Sequence, residues 1–179
     1  MTILVLVDSV EVEKMIFEVA NVYGPTYVRL GRSAVDTIFT EDYKFEIGKG
    51  TVLTEGDDVS IIACGIMVNE AIKASEELKK EGINVRVINM STIKPIDKEL
   101  IIKSAKEPKS VVTAEEHSII GGLGSAVSEV LAEECPTVLK RVGIKDVFGE
   151  SGNPNDLLEK YGLTYKDIIS SVKEVIAKN

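Results

Sequence analysis

The residues between Val112 and Ser125 gather the side chains best suited to chemistry: Glu115, Glu116, the chain's one histidine at His117, and then Gly121, Gly122 and Gly124. Residues 110–114 read as a strand ending in a turn that carries the two carboxylates and the imidazole. A glycine-rich bend and the start of a helix follow. In an open α/β sheet, ligands and partners usually sit beyond the carboxyl end of a strand. Glycines there let another backbone come close. Carboxylates beside an imidazole could act as an acid/base group. Adjacent side chains at a strand end point in opposite directions, so at most two of Glu115, Glu116 and His117 can share a site. No Gly-x-Ser-x-Gly elbow supplies a nucleophile for them. The competing reading is a solvated or interface-facing turn formed by Glu115, His117, Gly122 and Gly124.

Gly122-Leu123-Gly124 after a strand also invites a dinucleotide reading. The fingerprint needs a third glycine where Val127 stands, and it belongs at the first strand, so a tight strand-to-helix connection fits better. Arg29 and Arg32 flank the end of another strand. Arg32, next to Gly31, could hold a phosphate by a two-pronged hydrogen bond, or could pair with the surrounding acids. Cys64 and Cys135 lack metal-ligand or CxxC spacing and read as reduced, buried thiols.

These residues need a frame. The 179 residues, 44% hydrophobic and 28% charged, suit one ample core or one domain with a fragment of another. A net charge of −8 with no basic run argues against a nucleic-acid surface. The apolar opening at 3–7 is too short to span a bilayer and reads as a buried strand, so no membrane role is expected. Asp8 should cap a helix, with Glu11 as its capping-box partner and Met15, Ile16, Val19 and Ala20 as the apolar stripe. A strand at 26–30 completes a strand–helix–strand unit too small to cover a sheet. Residues 36–58 read as a linker with an edge strand near 51–53.

A fuller run then begins: strands at 59–64, 85–90, 110–114 and 138–142, with helices between and after them. Gly82 should stop one helix, Asp97 cap the next, Asn153-Pro154 open a short one, and Thr164 with Asp167 open the last. Strands alternating with helices predict an α/β fold. It has three αβα layers and a mostly parallel sheet with helices on both faces.

Four phrases carry a family resemblance: Tyr27 to Arg32, Ile88 to Asp97, Thr113 to Ser125, and Phe148-Gly-Glu-Ser-Gly152. In this order they resemble the C-terminal part of transketolase, most of all the split form made of two chains. The resemblance implies that residues 1–46 are the tail of a pyrimidine-binding domain plus linker, and 47–179 a transketolase C-terminal-type domain. It implies transfer of a two-carbon ketol unit between phosphosugars in the cytoplasm, with thiamine diphosphate and a divalent metal (Mg). The implied partner is the diphosphate-binding N-terminal section, in a homodimer or heterotetramer. Leu30-Gly31-Arg32 matches the family's substrate-phosphate phrase. The Gly-Asp-Gly cofactor motif has no match, because Asp58 follows Gly56-Asp57 and no Asn closes the pattern. This chain alone is therefore expected to hold no catalytic residue, cofactor or metal, and the Glu115–His117 turn leans towards an interdomain or dimer contact. The alternatives are the corresponding part of deoxyxylulose-phosphate synthase or of a 2-oxoacid dehydrogenase beta subunit, both disfavoured by the Phe148 phrase. A non-catalytic assembly or ligand-binding domain is the third.

Overall fold

A computed structural model describes residues 1–178. The apolar opening forms β1 (Thr2–Val5). Asp8 then accepts the Glu11 amide on Oδ1 at 2.8 Å and starts α1 (Ser9–Val19). A cap of this kind contributes about 1 kcal/mol. The expected apolar stripe is corrected at two places, because Ile16 and Ala20 face solvent. Its buried line is Glu11 and Met15, with Val12 and Val19 half-buried. β2 (Thr26–Arg29) lies parallel to β1, with Thr2 opposite Thr26.

Residues 30–50 carry no helix or strand, yet they are pinned. Asp8 Oδ2 accepts the amides of Ile38 and Phe39, and Phe39 and Phe45 are buried. The expected edge strand is β3 (Thr51–Thr54). β4 (Val59–Ala63) is buried throughout and apolar except at Ser60, whose hydroxyl donates to the Ser104 carbonyl. α2 (Met67–Lys80) ends where Gly82 takes a left-handed φ of 83°, a conformation that costs side-chain-bearing residues about 1–2 kcal/mol. β5 (Val85–Asn89) follows, then a short β6 (Thr92–Lys94) that sequence reading missed. Asp97 accepts the Leu100 amide and opens α3 (Lys98–Lys106).

β7 (Ser110–Ser118) is longer than expected: Glu115, Glu116 and His117 lie on the strand and not in a turn after it. α4 (Leu123–Glu134) likewise starts before Gly124, with Gly122 as its N-cap. β8 (Val138–Ile144) leads to α5 (Pro154–Lys160), capped by Asn153, and to α6 (Tyr165–Ile176). The Thr164/Asp167 capping box on α6 is present with both arms.

Two sheets result. One runs β2-β1-β6, and the other runs β3-β5-β4-β7-β8. In the larger sheet only β3 is antiparallel to its neighbour. α2 and α6 cover one face, where Ile61, Val87 and Val112 meet Leu78, Ile168 and Val172. α3 and α4 cover the other, where Ile62 and Ile88 meet Ile101, Leu123 and Val127. Burying each such side chain contributes about 1.5–3 kcal/mol, so both covering layers are firmly held. The α/β, three-layer expectation therefore stands. Among the described residues, no helix is long and apolar enough to cross a membrane.

Candidate functional site

The order β3-β5-β4-β7-β8 places the topological switch between β4 and β7. A ligand crevice is expected at the carboxyl ends of those strands. Here the chain fills that crevice itself. Val5, Leu6 and Arg29 from the smaller sheet press against Cys64, Gly65 and Glu116, leaving a void of about 20 Å³. A Cβ on Gly65 would lie 3.1 Å from the Val5 side chain. Across the void, Arg29 donates to Glu116 at 3.0 Å. Both groups are about one-third exposed, at 31% and 39%, so the pair contributes at most about 1 kcal/mol. Burial pushes the Cys64 thiol well above its ordinary range, which leaves it unreactive. Cys135 is half-buried and also free.

Glu115 turns inward. Its Oε2 accepts the Leu123 amide at 2.7 Å and its Oε1 accepts the Gly124 amide at 2.8 Å. These are orphan donors of the first turn of α4, so the carboxylate occupies the position an anionic ligand would take at a helix N-terminus. The dinucleotide reading fails for this reason. Gly122 is required by the same approach, since a Cβ there would fall 2.0 Å from Glu115 Oε2. At Gly124 a Cβ would meet the Arg141 side chain at 2.8 Å. His117, by contrast, is exposed, and its Nδ1 donates to the Ser118 carbonyl at 3.1 Å. Glu115 and His117 therefore do not converge on one site.

Burial pushes the Glu115 carboxyl above its ordinary 4.5, while the Gly124 and Leu123 amides and then the charges of His117 and Arg141 pull it back. A folded-state value above the unfolded one means that the protein binds the proton more tightly when folded. Its stabilising contribution is complete below pH 4.5 and is lost as pH rises through the folded value. Urea titrations from pH 4.5 towards neutrality should show wild-type stability declining, and Glu115→Gln declining less steeply. Parallel slopes would remove Glu115 from the linkage.

Arg32 stands apart. It is exposed, makes no ion pair among the described residues, and lines a cavity of about 480 Å³ between residues 32–36, α2 and α5. Arg32 and Lys73 share this cavity with Asp36, Glu70, Glu116 and Glu150. Such mixed lining suits a ligand that pairs an anionic group with several hydroxyls. Arg29 and Arg32 thus part ways, the first neutralised by Glu116 and the second free.

Sequence reading missed the most connected polar residue. Glu11 is fully buried. Its Oε2 accepts the Val7 amide at 2.8 Å, and its Oε1 accepts from Asn89 at 2.7 Å, from the Tyr43 hydroxyl at 3.2 Å and from the Ser91 hydroxyl. The capping-box return arm therefore reaches Val7 and not Asp8. Burial raises the Glu11 pKa against these donors, and burial with the charge of Glu11 raises that of Tyr43. One carboxylate so joins α1, the residue 30–50 segment and the end of β5. The signal was available, because spacing of four puts Glu11 on the face of Met15 and Val19.

Fold and site together define an αβα domain whose switch-point crevice is closed by its own N-terminal strands. Residues 48–168 match the family described as transketolase, C-terminal domain, and the chain belongs to that family. A 6-deoxy-6-sulfo-D-fructose transketolase subunit from Clostridium sp. (strain MSTE9) is 46% identical over 98% of this chain and 54% of its own length. A 1-deoxy-D-xylulose-5-phosphate synthase from Heliobacterium modesticaldum is 39% identical over 94% of this chain and 26% of its own. Among solved structures, a split gene transketolase in the form of an inactive beta4 tetramer superposes with a TM-score of 0.96 at 50% identity. That match covers 98% of this chain and 58% of the other. The chain spans about half the length of the curated transketolase subunit it matches.

Proposed function

We propose that this chain is the C-terminal section of a thiamine-diphosphate-dependent transketolase. Together with a diphosphate-binding section it transfers a two-carbon ketol unit between phosphosugars, as a cytoplasmic enzyme. In this reading residues 1–46 are the end of a pyrimidine-binding domain with its linker, and residues 47–179 the C-terminal-type domain. Arg32 holds the substrate phosphate, and the exposed side of the His117 strand end makes an interdomain or dimer contact. The single observation that carries the reading is the Leu30-Gly31-Arg32 phrase in a chain of this family, with Arg32 making no ion pair among the described residues and lining a cavity of mixed polar and apolar character. The acidic groups opposite Arg32 suit the hydroxyls of a sugar chain. The homotetramer of the solved relative supports an oligomeric assembly, with the active form a homodimer or a heterotetramer with the partner section.

Thiamine diphosphate and Mg belong to the complete enzyme, where the cofactor supplies the carbanion chemistry. The residues present here do not fit its diphosphate. The α4 amides that could bind an anion are taken by Glu115, and Asp58 is committed to the Asn84 amide at 2.6 Å. No step through the cofactor is assigned to this chain.

The test is to extend the chain upstream to a full pyrimidine domain, mix it with a candidate diphosphate-binding partner, and measure thiamine-dependent transfer from xylulose 5-phosphate. Arg32→Ala should raise KM for phosphosugars about 10- to 150-fold, as expected for a charged hydrogen bond of about 1.5–3 kcal/mol. An unchanged KM takes Arg32 out of the site. A second reading, the corresponding part of a deoxyxylulose-phosphate synthase, is favoured by the Heliobacterium relative. Use of pyruvate as donor, with no ketol transfer, would select it.

A further inference from the structure

Arg32 rides on a loop that is hydrogen-bonded only at its two ends. Among the described residues, residues 30–37 make no hydrogen bond and no ion pair. The last bonded group before them is the Arg29 carbonyl, which accepts the Leu6 amide at 3.4 Å. The first after them are the amides of Ile38 and Phe39, which donate to Asp8 Oδ2 at 2.8 and 2.9 Å. Both ends of the loop therefore fasten to one turn, Leu6-Val7-Asp8, between β1 and α1. Surface loops with such close ends are compact and frequently functional. Here residues 32–36 form one wall of the 480 Å³ cavity, facing α2 and α5. Where the loop is held decides where Arg32 stands.

Asp8 does more than a helix cap requires. Its Oδ1 accepts the Glu11 amide and starts α1, a task that a serine or threonine hydroxyl performs as well. Oδ2 has no part in the helix and serves the loop alone. The side chain is buried, at 4% exposure, and makes no ion pair among the described residues. Three backbone N–H groups therefore carry its charge, two of them from the loop's far end. A buried charge is costly unless donors of this kind meet it. Beyond the clamp, the Phe39 ring stacks on that of Tyr43 with centroids 3.7 Å apart, so the chain is firm from there on.

We propose that Asp8 is a positioning residue for Arg32: its second carboxylate oxygen closes the loop of residues 30–37 and so fixes the guanidinium at the cavity wall. This rests on the reading above, in which Arg32 holds the substrate phosphate. Asp8 touches no substrate and acts through the loop. Guanidinium recognition of a phosphate is directional, with two parallel hydrogen bonds to satisfy. Displacing a binding group by about 1 Å is therefore expensive for the reaction.

Asp8→Ser separates the two duties. It keeps a hydroxyl for the Glu11 amide and removes the oxygen that holds Ile38 and Phe39. In the assembly of the extended chain with its diphosphate-binding section, the variant should raise KM for xylulose 5-phosphate about tenfold. Turnover at saturation should stay within about twofold, and so should KM for hydroxypyruvate, a ketol donor without phosphate. In an Arg32→Ala background the same change should raise KM no further, because the two residues act as one unit. Glu13→Gly weakens α1 at an exposed interior position and should leave every KM unchanged. An unchanged KM in Asp8→Ser overturns the proposal. Equal rises for both donors, or a rise that adds to that of Arg32→Ala, do the same. A matching rise in Glu13→Gly also overturns it, since lost helix stability is then the cause. Amide hydrogen exchange on the 179-residue chain gives a readout independent of activity. Asp8→Ser should speed exchange at Ile38 and Phe39 at least about tenfold while α1 stays protected, and unchanged exchange overturns the clamp. A wild-type assembly without ketol transfer would sink the transketolase reading, and the clamp is then judged on exchange alone.

Discussion

Replacing Glu11 with alanine is expected to lower the unfolding free energy by about 3–5 kcal/mol, the largest effect of any single polar substitution in this chain. Four donors converge on this carboxylate: the Val7 amide, the Asn89 side-chain amide and the hydroxyls of Ser91 and Tyr43. A buried donor left without an acceptor costs about 1–3 kcal/mol. Two of the four keep some compensation. Asn89 also donates to Ser91 at 2.9 Å, and the Tyr43 hydroxyl lies 3.2 Å from that of Thr51. The Val7 amide has no such reserve, and the cavity left by the side chain adds to the loss. Glu11→Gln should cost less, about 1–2 kcal/mol. It keeps one acceptor oxygen but sets an N–H₂ against a donor on the other side. Urea denaturation with an unchanged m-value measures both variants. An alanine variant within 1 kcal/mol of wild type would show that the junction does not depend on this group.

The second large effect is expected at Gly122. Its φ of −97° and ψ of −153° are open to any residue, so alanine there meets no backbone strain. The obstacle is steric: the new Cβ would lie 2.0 Å from Glu115 Oε2 and 3.0 Å from the Ser118 carbonyl oxygen. Either the carboxylate leaves the amides of Leu123 and Gly124, or the start of α4 shifts. Overpacking combined with two orphaned amides should cost about 3 kcal/mol. Gly121→Ala provides the contrast. A Cβ there meets nothing within 4 Å, but φ is 77°, so its cost of about 1–2 kcal/mol is conformational alone. Equal losses at the two positions would mean that the Glu115 contact is not what demands Gly122.

Helices such as α2 and α6 were legible in the sequence because their apolar stripes, caps and the Gly82 stop are local signals. The strands of the larger sheet were legible as short apolar runs alternating with helices, with β3 read as an edge strand. β7 was cut short because Glu-Glu-His looks like the end of a strand. What extends it is tertiary, as Glu115 is satisfied by amides eight and nine residues further on. β6 escaped notice for a related reason: three residues carry no periodicity, and its partner β1 lies about ninety positions earlier. Glu11 was read as a local cap, while two of its hydrogen-bond partners, Asn89 and Ser91, lie 78 and 80 positions away. Arg32 was picked out by a three-residue phrase. The cavity beside it could not be, since its walls come from α2 and α5.

The β1–β6 ladder constrains how this molecule could be dissected. β1 lies between β2, its neighbour in sequence, and β6, which reaches back antiparallel from beyond β5. Excision at the irregular segment would therefore not release two finished halves. It would strip β6 of its ladder with β1 and uncover Asn89 and Ser91, which now face Glu11. Recombination between homologues should tolerate crossovers within the exposed turn around Gly82 far better than within residues 30–50. The smaller sheet is a hem stitched into the larger body, and force or proteolysis applied there should unravel both together.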